Sequence, residues 1–431
     1  MLKMDRLFKL KEFNTTFSKE ILAGLTTFMA MAYIIFVNPQ MMADAGMDYG
    51  ASFVATCIAA AIACFLMGLY ANWPVGLAPG MGLNAFFTYT IVGEMGYSWQ
   101  VALGAVFLAG ILFVLMSITR LRAWMLESIP KDLRIAMGVG VGLFIGIIGL
   151  MNGGIIADHP ATLLTLGDLS TPQPLMACLG FLIIMGLAVR NIPGAIILGI
   201  LSITVIALVT GHAEYQGLVS APPSIAPTIA QLDIRGALEI TMVSVILAIL
   251  FVNLFDTAGT LMGVASRAGL MDSEGNIKDI DRALKADSTS SVAGAFFGCS
   301  PVTSYVESAA GVSAGGRTGL TACTVGLLFL FAIFFAPLAG MVPAFATAGA
   351  LIYVALVMMG GMRDLDWNSP TNLLPALIMI LMIPLSFSIA HGIAVGFISY
   401  VVLKVSAGKT EEINVGIWFL AIIFAAKFAF L

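Results

Sequence analysis

With 431 residues, 60% of them hydrophobic and only 10% charged, the chain falls well below the roughly 25% charged residues of soluble domains and reads as a polytopic membrane protein. A net charge of −4 over so few ionisable groups, with no basic patch interleaved with aromatics, excludes a nucleic-acid partner. The five cysteines, Cys57, Cys64, Cys178, Cys299 and Cys323, stand in apolar or small-residue runs with no CxxC and no histidine at ligand spacing, and read as small buried hydrophobes.

The chain opens on a basic, amphipathic stretch, 1–19, that lacks the short apolar core and small-residue cleavage site of a signal peptide and is expected to be a cytoplasmic lead-in. Apolar segments follow at 20–43, 51–70, 78–92, 98–119, 132–151, 173–190, 193–210, 238–263, 286–299, 303–315, 318–337, 344–361, 371–388 and 390–405. Most of these fourteen approach the ~20 residues that span a bilayer, whereas 78–92 and 303–315 are too short for an unbroken helix. The tail, 409–431, ends in an apolar run from Val415 with a lone Lys427, and the sequence leaves open whether it crosses.

With the N-terminus inside, 18 of the 20 Lys and Arg fall on that side, Arg235 alone falls on the other, and Lys427 lies in the tail. The positive-inside pattern is strong. Each half of the chain holds four segments and then three, with a short segment third in each half, and an odd number per half makes the halves topologically inverted. Polar or amphipathic connectors at 117–134 and 361–369 suit a boundary between a substrate-holding bundle and a second bundle that moves against it.

The two short segments are the ones broken by proline. In GCSPVTSYVESAAGVSAGG (298–316), Pro301 lacks an N–H and disfavours helix before it, so Val302 to Tyr305 is expected to run extended, with a short helix starting near Val306. In APGMGLNAFFTYT (78–90), Pro79 precedes a short helix bearing Asn84, Phe86 and Phe87, and aligning Pro79 with Pro301 brings Asn84 within one position of Glu307. Interrupted segments in corresponding places of two halves are the mark of a binding centre between inverted repeats.

Asp256 and Glu307 are the acidic residues read as lying well inside predicted spans. A charge at that depth costs about 3 kcal/mol, so each is expected to face the bundle interior and to be paired, protonated or bound to something. Asn253, Asp256, Thr257 and Thr260 fall at i, i+3, i+4 and i+7, one polar stripe on an otherwise apolar helix. A buried carboxyl exchanges a proton more readily than an exposed one near neutral pH, which is what proton coupling requires, and no histidine is predicted at this depth. The run GVGVGLFIGIIG (138–149) has no preceding strand and no GK[ST], so it reads as close helix packing and not as a phosphate loop. No HExxH, GxSxG or Cys/His set is present, and the chain is not read as an enzyme.

AGLTTFMAMAYIIFVNP (23–39), APGMGLNAFF (78–87), FDTAGT (255–260) and SYVESAAG (304–311) together closely resemble the AzgA-like purine permeases of the nucleobase–ascorbate transporter superfamily, over about 13–408. The resemblance implies an all-α fold of fourteen transmembrane segments as 7+7 inverted repeats. It divides into core (20–119 and 238–340) and gate (120–237 and 341–408), which move by an elevator-like alternating access. It implies proton-coupled uptake of adenine, guanine or hypoxanthine across a bacterial cytoplasmic membrane, with the N-terminus cytoplasmic and no cofactor or metal. Its substrate carboxylates match Asp256 and Glu307, which also serve as the proton-coupling pair. Related members carry a Glu followed four residues later by a His where this chain has Asp256 and Thr260.

Glu307 is the first choice for a two-pronged contact with a base edge. Tyr305 or Phe86 would stack on the base, N–H groups near Val306 would meet ring atoms, and Asn84, Ser308 and Thr260 complete the expected lining. The expected partners are therefore a purine nucleobase, protons and the lipid bilayer. Homodimerisation is left open, and an anion exchanger of the same architecture is the alternative.

Overall fold

The computed structural model describes residues 7–119, 129–271 and 277–430. The start of the predicted lead-in (1–6), the middle of the predicted connector (120–128) and Leu431 lie outside the described residues, and with them Lys3, Arg6, Arg120 and Arg122 of the charge count.

The first half holds α1 (Phe17–Met31), α2 (Ile34–Asp44), α3 (Tyr49–Phe65), β1 (Leu77–Pro79), α4 (Met81–Ala85), α5 (Trp99–Ile118), α6 (Lys131–Asn152), β2 (Ile156–His159), β3 (Leu163–Leu166), α7 (Pro172–Val189) and α8 (Ala195–Val209). The second holds α9 (Ile234–Ala237), α10 (Val243–Ala268), α11 (Ile280–Phe296), β4 (Val302–Ser304), α12 (Ser308–Ser313), α13 (Gly319–Ala332), α14 (Ala336–Gly340), α15 (Ala344–Met359), α16 (Pro370–Leu385), α17 (Ile389–Ser406) and α18 (Val415–Phe430). Among the described residues nine helices are long and apolar enough to cross a membrane, and three shorter apolar helices accompany them.

Local chemistry sets many of the ends. Thr16, Asp48, Ser98, Thr318 and Ser388 each accept a backbone N–H at the start of a helix, and Gly269 takes the left-handed conformation that stops α10. The expected breaks at Pro79 and Pro301 are present as strands, each followed by a short helix, and α4 continues as a π-helical stretch to Glu94. β1 and β4 pair antiparallel, Leu77 opposite Ser304 and Pro79 opposite Val302. A second strand pair, β2 with β3, forms a hairpin in the loop after α6, so the all-helical expectation holds for the long segments and not for these four strands.

Two further departures come from tertiary contacts. The first predicted segment, read as unbroken over 20–43, is interrupted at Ala32 and Tyr33 between α1 and α2. The ninth, read as starting at 286, begins at Ile280, which puts Asp287 two turns inside a helix. The apolar tail forms α18, which runs back along α17 with Phe424 against Phe397 (centroids 6.2 Å apart) and Phe428 against His391 (5.7 Å).

The helices associate in two groups: α1, α3, α5, α10, α11, α12 and α13 pack on one another, as do α6, α7, α8, α15, α16 and α17. Small residues let backbones touch in both. A Cβ on Gly319 would stand 1.9 Å from the carbonyl oxygen of Gly68, and in the predicted glycine run Cβ atoms on Gly142, Gly146 and Gly149 would stand within 3 Å of Met358, Ala355 and Leu351. Lys278 pairs with Glu12 at 2.6 Å, Trp73 Nε1 donates to the Lys278 carbonyl, and the Gly319 N–H donates to Asn72. The N-terminal stretch, the chain leaving α10 and the start of α13 therefore share one face.

Gly319→Ala is expected to lower the melting temperature of the detergent-purified protein clearly, by an overpacking cost of about 1–3 kcal/mol. Gly138→Ala, where a Cβ meets open space, should leave it unchanged.

Candidate functional site

Backbone broken at membrane depth survives only when its polar groups find partners inside the protein. Here the two breaks satisfy each other. Beyond the β1–β4 pairing, the Gly80 N–H donates to the Pro301 carbonyl (2.9 Å), the Tyr305 N–H to the Gly76 carbonyl (3.0 Å), and the Gly76 N–H to Ser308 Oγ (3.0 Å). A Cβ on Gly80 would stand 2.7 Å from Thr303, so the crossing has no room for a side chain there.

Glu307 sits where β4 turns into α12, half-buried, and its Oε1 accepts the Tyr33 hydroxyl at 2.8 Å. Val306 beside it is 55% exposed. Asp256 lies close enough for its carboxyl to feel the charge of Glu307. From Asp256 to its C-terminal end α10 turns one accessible face, Asp256, Gly259, Met262, Gly263, Ser266 and Arg267, while the half before Asp256, from Ser244 to Phe255, is buried or half-buried. Cβ atoms on Gly259 and Gly263 would meet nothing within 4 Å. Asp256 and Glu307 thus stand at the head of an accessible strip, the crevice, that runs along α10 toward the face bearing the N-terminal stretch.

The predicted polar stripe divides. Asp256 faces the crevice, whereas Asn253 and Thr257 turn to α11 and β4: Asn253 Nδ2 donates to Ser291 (2.8 Å), and Thr257 donates to Asp287 Oδ1 (2.9 Å) and lies 2.9 Å from Thr303 Oγ1. Ser304 donates to the other oxygen of Asp287 at 2.6 Å. Asp287, fully buried, is a third carboxyl of the cluster, within electrostatic reach of Asp256. It was missed because it stood at the edge of the predicted ninth segment. The signal that marks it is the polar run KADSTSS inside a helix, with Asp287 and Ser291 one turn apart.

The remaining predicted site residues are brought near the crossing but not to its open side. Tyr305 is buried, its hydroxyl donating to the Pro79 carbonyl at 2.5 Å and its ring 6.5 Å from that of Tyr33. The Ser308 hydroxyl is engaged by Gly76, and Thr260 and Phe86 are buried. Asn84 is fully buried and accepts from Ser300, which also lies on Asn38, so it belongs to a polar knot with Thr56 and not to the Glu307 carboxylate. A cavity of about 170 Å³ lies elsewhere, between the far ends of α2, α4, α6 and α15. Its polar groups are bonded to their neighbours, Tyr89 to Asp44 (2.8 Å), Thr347 to Gln40 (2.9 Å) and Gln40 to the Val342 carbonyl (2.7 Å), so it reads as a seam between the two helix groups. Among the described residues no group of His, Cys, Asp and Glu is arranged to hold a metal ion.

A family model described as "Permease family" matches residues 18–426. The chain belongs to that family. It is a transporter of the nucleobase–ascorbate type and not an enzyme, a multi-pass membrane protein whose relatives are purine permeases. The permease is 48% identical to adenine permease AdeP of Escherichia coli (strain K12) over 428 residues, 99% of this chain and 96% of that protein. It is 42% identical to guanine/hypoxanthine permease PbuG of Bacillus subtilis (strain 168), covering 99% of this chain and all of that one. Among solved structures the fold resembles the transmembrane domain of the cyanobacterial bicarbonate transporter BicA, with a TM-score of 0.65 at 17% identity over 86% of this chain and 96% of that one. It also resembles SLC26A9, with a TM-score of 0.66 at 12% identity over 90% of this chain and 65% of that one.

Replacing Asp287 of the permease by Ala strands the buried Ser304 hydroxyl, at a cost of about 1–3 kcal/mol, and leaves Thr257 to its other partner, Thr303. The melting temperature of purified Asp287→Ala is therefore expected to fall well below that of Asp287→Asn, whose amide oxygen still accepts.

Proposed function

We propose that this permease takes up purine bases, adenine, guanine or hypoxanthine, together with protons across the cytoplasmic membrane of a bacterium. The observation that carries the reading is 48% identity over nearly the whole chain to a protein named as an adenine permease. The crevice adds to it, because an ionised carboxylate accepts parallel hydrogen bonds from adjacent N–H groups on a base edge, and bonds to a charged acceptor contribute about 1.5–3 kcal/mol each. The likeness to bicarbonate and SLC26 transporters concerns the fold alone. Two carboxyls on the crevice, with a third buried behind them, disfavour an anion as cargo, since it would meet like charge unless they were protonated.

The layout behind this reading is fourteen segments in two inverted sets of seven, with 20–119 and 238–340 as a core that holds the site and 120–237 and 341–408 as a gate. The two packing groups of helices fit that division. With the N-terminus cytoplasmic, the Arg267 end of α10 faces inside and the open crevice makes this an inward-open state. The seam at the opposite end, where Gln40 and Tyr89 of the core meet Thr347 and Asn152 of the gate, is then the closed outer side. An elevator-like movement breaks that seam and carries the β1–β4 crossing past α6 and α15.

Coupling to protons rests on the carboxyl pair. Asp256 and Glu307 stand within reach of each other at membrane depth, where two like charges cannot both stay ionised cheaply, so the pair holds a proton whose presence depends on whether a base occupies Glu307.

Glu307→Gln replaces an acceptor-only group by a mixed donor and acceptor. Uptake of radiolabelled adenine or hypoxanthine into cells is expected to drop to background while the amount of inserted protein stays normal; near-normal uptake would remove Glu307 from the site. Asp256→Asn mimics a permanently protonated partner. In reconstituted vesicles it is expected to keep counterflow exchange of base and lose accumulation driven by a pH gradient, and gradient-driven accumulation by this variant would take Asp256 out of the coupling pair.

A further inference from the structure

Tyr33, buried behind Glu307, is a feature that the transport reading leaves without a task. Its ring is 1% exposed, and it stands in the break between α1 and α2, inside a run, MAMAYIIF, that is otherwise wholly apolar. A buried phenol must donate its O–H, and Tyr33 donates to Glu307 Oε1. The break lets it do so: the helical bonding of α1 ends with the Ala32 N–H on Phe28, and that of α2 restarts with the Ile35 N–H on Ala32. The ring packs beside Tyr305, whose own hydroxyl is fixed on Pro79. Tyr33 is thereby tied through rigid aromatic packing to the strand crossing itself.

We infer that Tyr33 is the positioning residue of the base site: its hydroxyl holds Oε1 of Glu307 and so presents Oε2 to the crevice. This rests on the reading that Glu307 contacts the base. A glutamate has three rotatable side-chain bonds, and a half-accessible one samples several rotamers; fixing it in the empty carrier removes the ordering cost that a base would otherwise meet on binding. Each carboxylate oxygen has two lone pairs, so a base edge with two adjacent donors still finds both oxygens while Tyr33 stays in place. Tyr33 follows the end of α1 and Glu307 precedes the start of α12, and these helices pack on each other, so the contact travels with the site and persists when access changes. Its loss therefore acts on affinity and not on the rate of switching.

The test is equilibrium binding of radiolabelled adenine and hypoxanthine to the purified full-length carrier, with initial uptake rates in vesicles beside it. Tyr33→Phe keeps the ring and removes the donor. It is expected to raise Kd and KM about tenfold, the effect of losing one hydrogen bond to a charged acceptor, with Vmax within twofold of wild type. A role confined to packing would lower Vmax and the melting temperature at constant KM. As a second variant, 3-fluorotyrosine at position 33 keeps ring and hydroxyl and should bind within twofold of wild type. The inference is overturned by a Tyr33→Phe carrier with unchanged Kd, or by a fluorotyrosine carrier as weak as Tyr33→Phe. A wild-type carrier that binds no purine overturns the purine reading and this one with it.

Discussion

The constraint on which the rest of this structure depends is that two stretches of chain give up helical hydrogen bonding at membrane depth and must find their lost partners inside the protein, chiefly in each other, with Cys64 and Ser291 serving Leu77 and Val302. Pro79 and Pro301 make the breaks unavoidable, and the antiparallel pairing of Leu77–Pro79 with Val302–Ser304 makes them affordable. Once the strands are paired, the side chains that flank them have fixed places. Thr303 and Ser304 point to Thr257 and Asp287, Tyr305 reaches Pro79, and Glu307 is left at the turn into α12 where the crevice begins. Asp287 braces this arrangement from the side of α11, using both carboxylate oxygens on hydroxyls of two different elements.

What was legible in the sequence follows from how local each cause is. Proline acts on its own residue and the one before it, so the interruptions at 79 and 301 could be read directly, and runs of about 20 apolar residues could be counted. The break at Ala32–Tyr33 has no such local cause, since neither proline nor glycine stands there; its correlate is a hydroxyl meeting a carboxylate 274 positions away. Asp287 escaped for a related reason: a polar N-terminal half makes α11 look like loop followed by a short span, and only the packing against α5 and α3 makes those residues interior. Ser308 and Asn84 were recognised as belonging to the centre, yet the Ser308 hydroxyl serves the backbone of Gly76 and Asn84 Oδ1 the hydroxyl of Ser300, while Asn84 Nδ2 is buried without a partner among the described residues. Residue type and spacing locate a polar side chain near a site. They do not say which of its neighbours claims it.

The same distinction separates packing within the helix groups from packing between them. Inside one group Gly24 lies against Thr324, Gly311 against Thr27 and Gly68 against Gly319; inside the other the glycines of α6 lie on α15. These are backbone-close contacts that a slide of even an ångström would turn into clashes, so each group moves as a unit if it moves at all. Across the boundary some glycine and aromatic packing persists, Gly82 against Val141 and Phe251 on Phe397, but polar contacts join it: Gln40 with Thr347, Tyr89 with Asn152, and the Thr90 hydroxyl with the Phe387 carbonyl. Polar bonds of this sort are exchanged for water at modest net cost, which is the property required of a seam that opens and closes.

The short helix that carries Glu307 raises a last question of mechanics, because six residues cannot hold a helix by their own bonding. Its N-terminal end is held by the strand crossing. Its C-terminal end is held by Arg317, whose guanidinium donates to the carbonyls of Val312 (2.6 Å) and Gly316 (2.7 Å), bracing the turn that leaves the helix, where the Gly315 N–H also bonds to Val312. Arg317 is held in turn by Glu20 of α1, a fully buried carboxylate that accepts from the N–H groups of Arg317 and Thr318 and from the Thr321 hydroxyl at 2.6 Å. Glu20 stands on α1 and Tyr33 in the break just after it, so this one segment grips the half-helix twice, once behind its last turn and once at the carboxylate before its first. A half-helix held at both ends in this way leaves the Glu307 carboxylate little freedom to settle, and on the reading proposed above that freedom is what a loosely held site would have to surrender on binding.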